Sequence, residues 1–170
     1  MKIYIGCGLT HVPRELFKSY CSFVHRLAAR LQTDHQVKYA LRDSDPQLAE
    51  KPYADRARLC YVWDRRMVEE ADTMIAEVSF PATGLGVELQ IAESKGIPLI
   101  LCYSDLGNNR AESVVYETPD QISHELQIGK GYASLMVLGL PNVLQVIQYA
   151  NAEDGIDLVS SAVSLLQRKS

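Results

Sequence analysis

From Lys2 to Cys102 the chain alternates short apolar runs with segments of helical period, and this alternation narrows its possible folds more than any other feature. Lys2 to Cys7 reads as a strand that ends at Gly6-Cys7-Gly8. A loop over Leu9 to Pro13 follows, with Pro13 suited to the first turn of a helix, where a missing N–H costs nothing. From Arg14 to about Gln32, the residues Leu16, Phe17, Tyr20, Phe23, Val24, Leu27, Ala28 and Leu31 recur at spacings of three and four. That spacing predicts an amphipathic helix. Val37 to Leu41 reads as a second strand. Arg42 to Tyr53 is polar, contains Pro46 and Pro52, and reads as a loop of the kind that covers a site. A helix over Ala54 to Ala71 leads to Thr73 to Val78, a strand with few polar groups that suits the middle of a parallel sheet. Ser79 to Gly86 reads as a loop, Val87 to Lys95 as a helix ended by Gly96, and Ile97 to Cys102 as a further buried strand. Such a series is built from βαβ units with right-handed crossovers. The expected architecture is a three-layer, doubly wound α/β domain with a parallel sheet of about five strands.

Beyond Tyr103 the pattern weakens. Leu106 to Asn109 reads as a turn, and Tyr132 to Leu138 fits strand or helix until Gly139-Leu140-Pro141 stops it. Leu144 to Tyr149 reads as a last strand and Asp154 to Gln167 as a terminal helix. There is no repeat, low-complexity segment or linker, so residues 1–170 read as one domain. The formal net charge of −4 gives no general attraction to nucleic acid or to an anionic membrane. No segment reads as a signal peptide or a membrane span, which makes the cytoplasm the expected location. The four cysteines, Cys7, Cys21, Cys60 and Cys102, form no CxxC pair and read as reduced, mostly buried thiols. No metal-ligand spacing joins His11, His25, His35 and His124, and no cofactor motif is present.

In open α/β sheets, ligands bind beyond the carboxyl ends of the strands. Here the loops Gly8 to Pro13, Ser79 to Gly86 and Tyr103 to Asn109 leave those ends. Glu88 follows Gly84-Leu85-Gly86-Val87 and falls in the first turn of the expected helix. The glycines allow a tight turn or close approach to a ligand. The helix N-terminus should favour an ionised carboxylate, as a nucleophile requires. Plain helix capping would explain the same residue. Asp64 has Cys60, Met67, Val68 and Ala71 as helical neighbours, so it lies at the edge of the stripe that should face the sheet. Aspartate is rare there without a partner or a task; an ion pair with Arg65 or Arg58 is the simpler explanation. Asp72, at a helix–strand junction, is explained by a local backbone hydrogen bond. Tyr4 either reaches the site from the first strand or fills the core beside it. Glu77 is a further acid near the mouth, and Cys7 an alternative nucleophile. His11 and Arg14 border the first loop, where they can meet a phosphate or simply be solvated.

The sequence resembles the nucleoside 2-deoxyribosyltransferase family, which includes deoxynucleoside 5′-monophosphate N-glycosidases. The resemblance lies in Tyr4-Ile5-Gly6-Cys7-Gly8, in Asp64 with the later Glu70-Ala71-Asp72, in Ile75-Ala76-Glu77-Val78-Ser79, and in Pro81-Ala82-Thr83-Gly84-Leu85-Gly86-Val87-Glu88-Leu89. It is best from about Asp64 to Cys102. It implies a flavodoxin/Rossmann-like sheet with strand order 2-1-3-4-5. It further implies that Glu88 attacks the anomeric carbon, that Asp64 handles the proton of the leaving base, and that Tyr4 orients Glu88. Gly6, Gly8, Thr10, His11, Thr83, Gly84 and Gly86 would contact substrate. Ser134, with Met136, would reach a neighbouring subunit's pocket in a homodimer or larger even-numbered oligomer. Glycosidic cleavage passes through an oxocarbenium-like state, so paired carboxylates suit it. The chain departs from the pattern in telling places. Gly8 and Thr10 stand where the monophosphate hydrolases resemble one another in carrying serine and arginine, and Ala82 replaces a further serine, or the aspartate of the transferases. The end Gln167-Arg168-Lys169-Ser170 differs from the aromatic, carboxylate-ended tail of the classical transferases. The expected activity is therefore cleavage of a nucleoside or its 5′-monophosphate, water being favoured over a second base as acceptor. Base exchange and non-catalytic nucleotide sensing are the alternatives, and the expected partner is a small nucleoside or nucleotide.

Overall fold

The computed structural model describes residues 1–168; Lys169 and Ser170, the end of the tail just contrasted with that of the transferases, lie outside it. The elements are β1 (Lys2–Cys7), α1 (Arg14–Leu31), β2 (Gln36–Tyr39), α2 (Ala40–Asp43), α3 (Asp45–Leu48), α4 (Tyr53–Glu69), β3 (Thr73–Glu77), α5 (Thr83–Ser94), β4 (Leu99–Ser104), β5 (Val115–Glu117), β6 (Ser123–Glu125), α6 (Leu135–Leu138), β7 (Val143–Tyr149) and α7 (Ala152–Gln167). Five strands form one sheet in the order β2-β1-β3-β4-β7, and every pairing within it is parallel. Counted along the chain, that is the order 2-1-3-4-5 implied by the resemblance.

The central strands explain the layering. Every residue of β3 and β4 is buried, as parallel strands covered on both faces must be. On one face lie α1 and α7, which contribute Phe23, Val24, Leu27, Val159 and Val163 to a core with Ile3, Ile5 and Ile75. On the other, α4 and α5 contribute Met67, Val68, Leu85 and Leu89 to a core with Tyr4, Met74 and Ala76. Large apolar side chains buried in this way stabilise the fold by about 1.5–3 kcal/mol each. The strand period of two therefore sends Ile3 and Ile5 one way and Tyr4 the other.

Three expectations are corrected. The stretch expected as a loop from Arg42 contains the short helices α2 and α3. They are pinned to β2 because Asp43 accepts from the Tyr39 backbone N–H at 3.0 Å and Arg42 donates to the Val37 carbonyl at 2.6 Å. The helix expected from Val87 begins at Thr83. Leu85 packs in line with Leu89 and Ala92, and that apolar stripe carries the helix through Gly84 and Gly86. Glu88 thus lies in the second turn. Finally, the segment after Tyr103 holds an antiparallel hairpin, β5–β6, whose residues are all exposed. Tyr132 to Leu138 resolves into an irregular stretch and the short helix α6. Among the described residues no helix is long and apolar enough to cross a membrane.

Candidate active site

Tyr4, Gly6, Asp64 and Glu88 converge where the C-terminal half of β1 meets α4 and α5. Tyr4 is fully buried. Gly6 is necessary because of what lies against it: a Cβ there would come within 2.8 Å of Glu88 Oε2 and of Leu85 Cδ1, and within 2.7 Å of Met74 Cε. Glu88 is only partly exposed, and its Oε2 is sealed from solvent with no hydrogen-bond partner, as is the Tyr4 hydroxyl. No well-formed hydrogen bond joins the two groups, yet the phenol is near enough to pull the carboxyl pKa down. Burial overrides that pull, and the nearby Asp64 charge adds to burial, so the Glu88 carboxyl is pushed up to about 8. Burial, then the charges of Glu88 and Asp64, likewise raise the Tyr4 phenol.

This corrects the electrostatic expectation for Glu88. One turn further from the helix start, and out of water, it is governed by desolvation rather than by the helix dipole, whose influence fades within the first turn. Below about pH 8 it holds a proton.

Asp64 has neither of the arginine partners considered for it: Arg65 pairs with Glu69, and Arg58 approaches Asp55. Instead the Ser44 hydroxyl donates to Asp64 Oδ1 at 2.6 Å, and the Cys60 thiol donates to Oδ2 at 3.3 Å. Ser44 is not among the residues singled out by sequence, since a serine in a polar stretch just ahead of Pro46 gives no signal that would find it. Asp72 accepts from the Lys2 backbone N–H at 2.7 Å, the local role expected of it.

The remaining candidates separate. Glu77 is fully buried on the opposite face, where it accepts from the Tyr149 hydroxyl at 3.0 Å and from the Ser79 hydroxyl. Burial raises its pKa. It ties the start of the β3–α5 loop to the sheet and does not meet Glu88. The Cys7 thiol is pushed up by burial and then by Glu77 and Glu88, the reverse of what a thiolate nucleophile requires. Gly8 sits against Ala82 and the Phe80 carbonyl, where a Cβ would come within 2.8 and 2.9 Å. Gly84 and Gly86 have open space where side chains would be, and neither has a positive φ. Of the two roles expected of them, a tight turn is not formed, and the open space leaves room for the close approach of a ligand.

A cavity of about 400 Å³ adjoins this cluster, with His11, Thr83, Gly86 and Ser134 in its wall. Its size suits a small ligand. Glu88, Asp64 and Tyr4 do not line it. Leu85 stands between, lining the cavity and also flanking Gly6 beside Glu88 Oε2. The carboxyl pair, rather than the cavity, holds the chemically distinctive groups. Thr10, Gly84 and Met136 are also outside the cavity wall. Ser134 caps α6, accepting from the Val137 N–H at 3.3 Å, while Met136 is 84% exposed.

No protein-family model matches the chain. A protein of Syntrophotalea carbinolica named "Putative 2′-deoxynucleoside 5′-phosphate N-hydrolase 1" is 34% identical over 59 residues, which span 35% of this chain and 42% of that relative. A protein of the same name from Methanococcoides burtonii is 24% identical over 140 residues, 81% of this chain and 97% of its own length. Among solved structures, a CMP N-glycosidase of Clostridium botulinum matches with a TM-score of 0.55 and 15% identity, covering 94% of this chain and 98% of that one. That last likeness shows the fold. These names fall within the family that the sequence resembles.

Proposed function

We propose that this protein cleaves the N-glycosidic bond of a nucleoside or nucleoside 5′-monophosphate, with Glu88 as nucleophile, Asp64 handling the proton and Tyr4 orienting Glu88. The observation that carries the reading is the Glu88 carboxyl, whose Oε2 is sealed from solvent and whose pKa is raised by burial and the neighbouring Asp64 charge to about 8. A carboxyl whose pKa is raised by burial, set beside a second carboxyl, suits acid and base chemistry. The names of the relatives, which refer to 2′-deoxynucleoside 5′-phosphates and to CMP, agree with this substrate class.

Attack needs the proton that burial keeps on Glu88 to move to Asp64, which leaves Glu88 charged. Glu88 then attacks the anomeric carbon as the bond to the base breaks. The base nitrogen keeps the bonding electrons and takes the proton from Asp64. Water next attacks the same carbon, displaces Glu88 from the glycosyl ester, and returns its proton to Asp64. Gly6 lets the Glu88 carboxyl lie against β1. In this reading Thr83, Gly86, His11 and Ser134, which line the cavity, contact the substrate.

Base exchange differs only in the second acceptor. A non-catalytic sensor is disfavoured because binding alone does not explain a buried acid that opposes folding above its ordinary pKa. The exposed Met136 and Leu135 on α6 support a homodimer in which this segment meets the neighbour's pocket.

The test is release of free base from a panel of nucleosides and their 5′-monophosphates, followed chromatographically with and without a second base. Glu88→Ala and Glu88→Gln are expected to lose at least about a thousandfold in rate, some 4 kcal/mol of transition-state stabilisation. Turnover within about tenfold of the parent in either variant would remove Glu88 as nucleophile.

A further inference from the structure

We propose that Ser44, supported by Cys60, is a positioning residue for Asp64, holding its carboxylate in the one orientation from which it serves the leaving base. This rests on the reading of Asp64 as the group that handles the proton. Each oxygen of Asp64 receives one donor, Ser44 at Oδ1 and Cys60 at Oδ2. A carboxylate gripped at both oxygens cannot turn about its terminal bond without breaking a hydrogen bond, and each oxygen still has a lone pair for a proton or a ligand.

The donors are themselves fixed. Ser44 is 1% exposed and sits between α2 and α3, in the segment that Asp43 and Arg42 anchor to β2. Gln47 tightens that segment by donating to the Arg42 carbonyl at 3.0 Å. Among the described residues, the only other acceptor within reach of the Ser44 hydroxyl is the Ala40 carbonyl, at 3.5 Å. Cys60 stands one helical turn before Asp64 on α4. Burial and the Asp64 charge push its thiol up to about 12, so it remains a donor at any working pH. The strand β2, which carries none of the reacting groups, thus supplies orientation to them through Ser44. Supporting shells of this kind are what hold a reacting group within the narrow geometry that chemistry demands.

The experiment measures kcat and KM for base release across leaving bases of different basicity, in Ser44→Ala, Cys60→Ala, Cys60→Ser, Asp64→Asn and the Ser44→Ala/Asp64→Asn double variant. Ser44→Ala is expected to lower kcat by about ten- to a hundredfold, most for the poorest leaving bases, with KM within about threefold of the parent. In the Asp64→Asn background the same change should cost less than about twofold, because the residue acts through Asp64. Cys60→Ser, which keeps a donor, should retain activity that Cys60→Ala loses. Parental kcat in Ser44→Ala, a loss equal for all leaving bases, or an undiminished loss in the Asp64→Asn background would each overturn the assignment while leaving the proposed reaction intact. If Ser44→Ala does not fold, the Cys60→Ala and Cys60→Ser pair decides by the same comparison. No base release by the parent from any substrate would instead bring down the proposed reaction, and this assignment with it.

Discussion

Replacing Glu88 with glutamine should make the protein more resistant to unfolding as the pH rises. In the unfolded chain this carboxyl loses its proton near 4.5, and in the folded protein near 8. Between those values the folded state binds more protons than the unfolded one, so stability falls with rising pH. The penalty is absent below about 4.5 and complete above about 8. At about 1.4 kcal/mol per pKa unit, the full penalty is about 5 kcal/mol, of which under about 1 kcal/mol is present at pH 5. Glutamine has no proton to lose. The stability of Glu88→Gln relative to the parent should therefore climb by about 4 kcal/mol between pH 5 and pH 9, whatever constant offset the amide itself introduces. Glu77, the other buried acid, is present in both proteins and cancels in the difference. Urea unfolding of both proteins at pH 5, 7 and 9 gives the answer. A difference that stays flat within about 1 kcal/mol over that range would show that Glu88 is not held neutral by burial, and the account of the carboxyl pair would fall with it.

Gly6→Ala should leave a folded protein, since its new methyl group meets only the ends of the flexible Met74, Leu85 and Glu88 side chains. The expected stability loss is about 1–3 kcal/mol by thermal unfolding, with base release down by about a hundredfold because the Glu88 carboxyl is displaced; a parental rate would refute this. Asn109 donates to the Ser79 and Ser104 carbonyls at 3.0 and 2.8 Å and accepts from the Leu106 N–H at 2.8 Å, joining the loops that follow β3 and β4. Asn109→Ala should cost about 2–3 kcal/mol in denaturant unfolding, and a change under about 0.5 kcal/mol would mean that water replaces these bonds without penalty. For assembly, the parent should sediment as a homodimer or larger even-numbered oligomer, and Ser134→Trp or Met136→Asp should weaken both association and base release. A fully active monomer at micromolar concentration would exclude the shared pocket.

The parallel sheet was legible in the sequence because each of its strands carries its own burial signal, and covered strands such as Thr73 to Glu77 leave little room for another reading. Glu88, Asp64 and Tyr4 were legible as a group through their type and position. Their physical state was not. The start of α5 was read from Gly84 and Gly86 as breakers, whereas Leu85, Leu89 and Ala92 decide it by packing. That shift takes Glu88 away from the helix end, and burial then makes an expected ionised carboxylate a protonated one. Ser44 was hidden for another reason: its role depends on two short helices held by long-range contacts to β2, and local pattern carries no trace of those. The β5–β6 hairpin, whose strand residues are all exposed, offered no apolar alternation to read.

The route by which the sheet is assembled has a kinetic consequence. Tyr4, Ser44, Asp64 and Glu88 reside on four successive stretches of chain, and the strand order places β1 between β2 and β3, so a fragment that ends before α5 lacks part of the constellation. Crossovers between parallel strands close long loops before their contacts form, which makes such pairings slow. During refolding, helical signal should therefore return before the carboxyl pair is enclosed, and base release should be among the last properties regained.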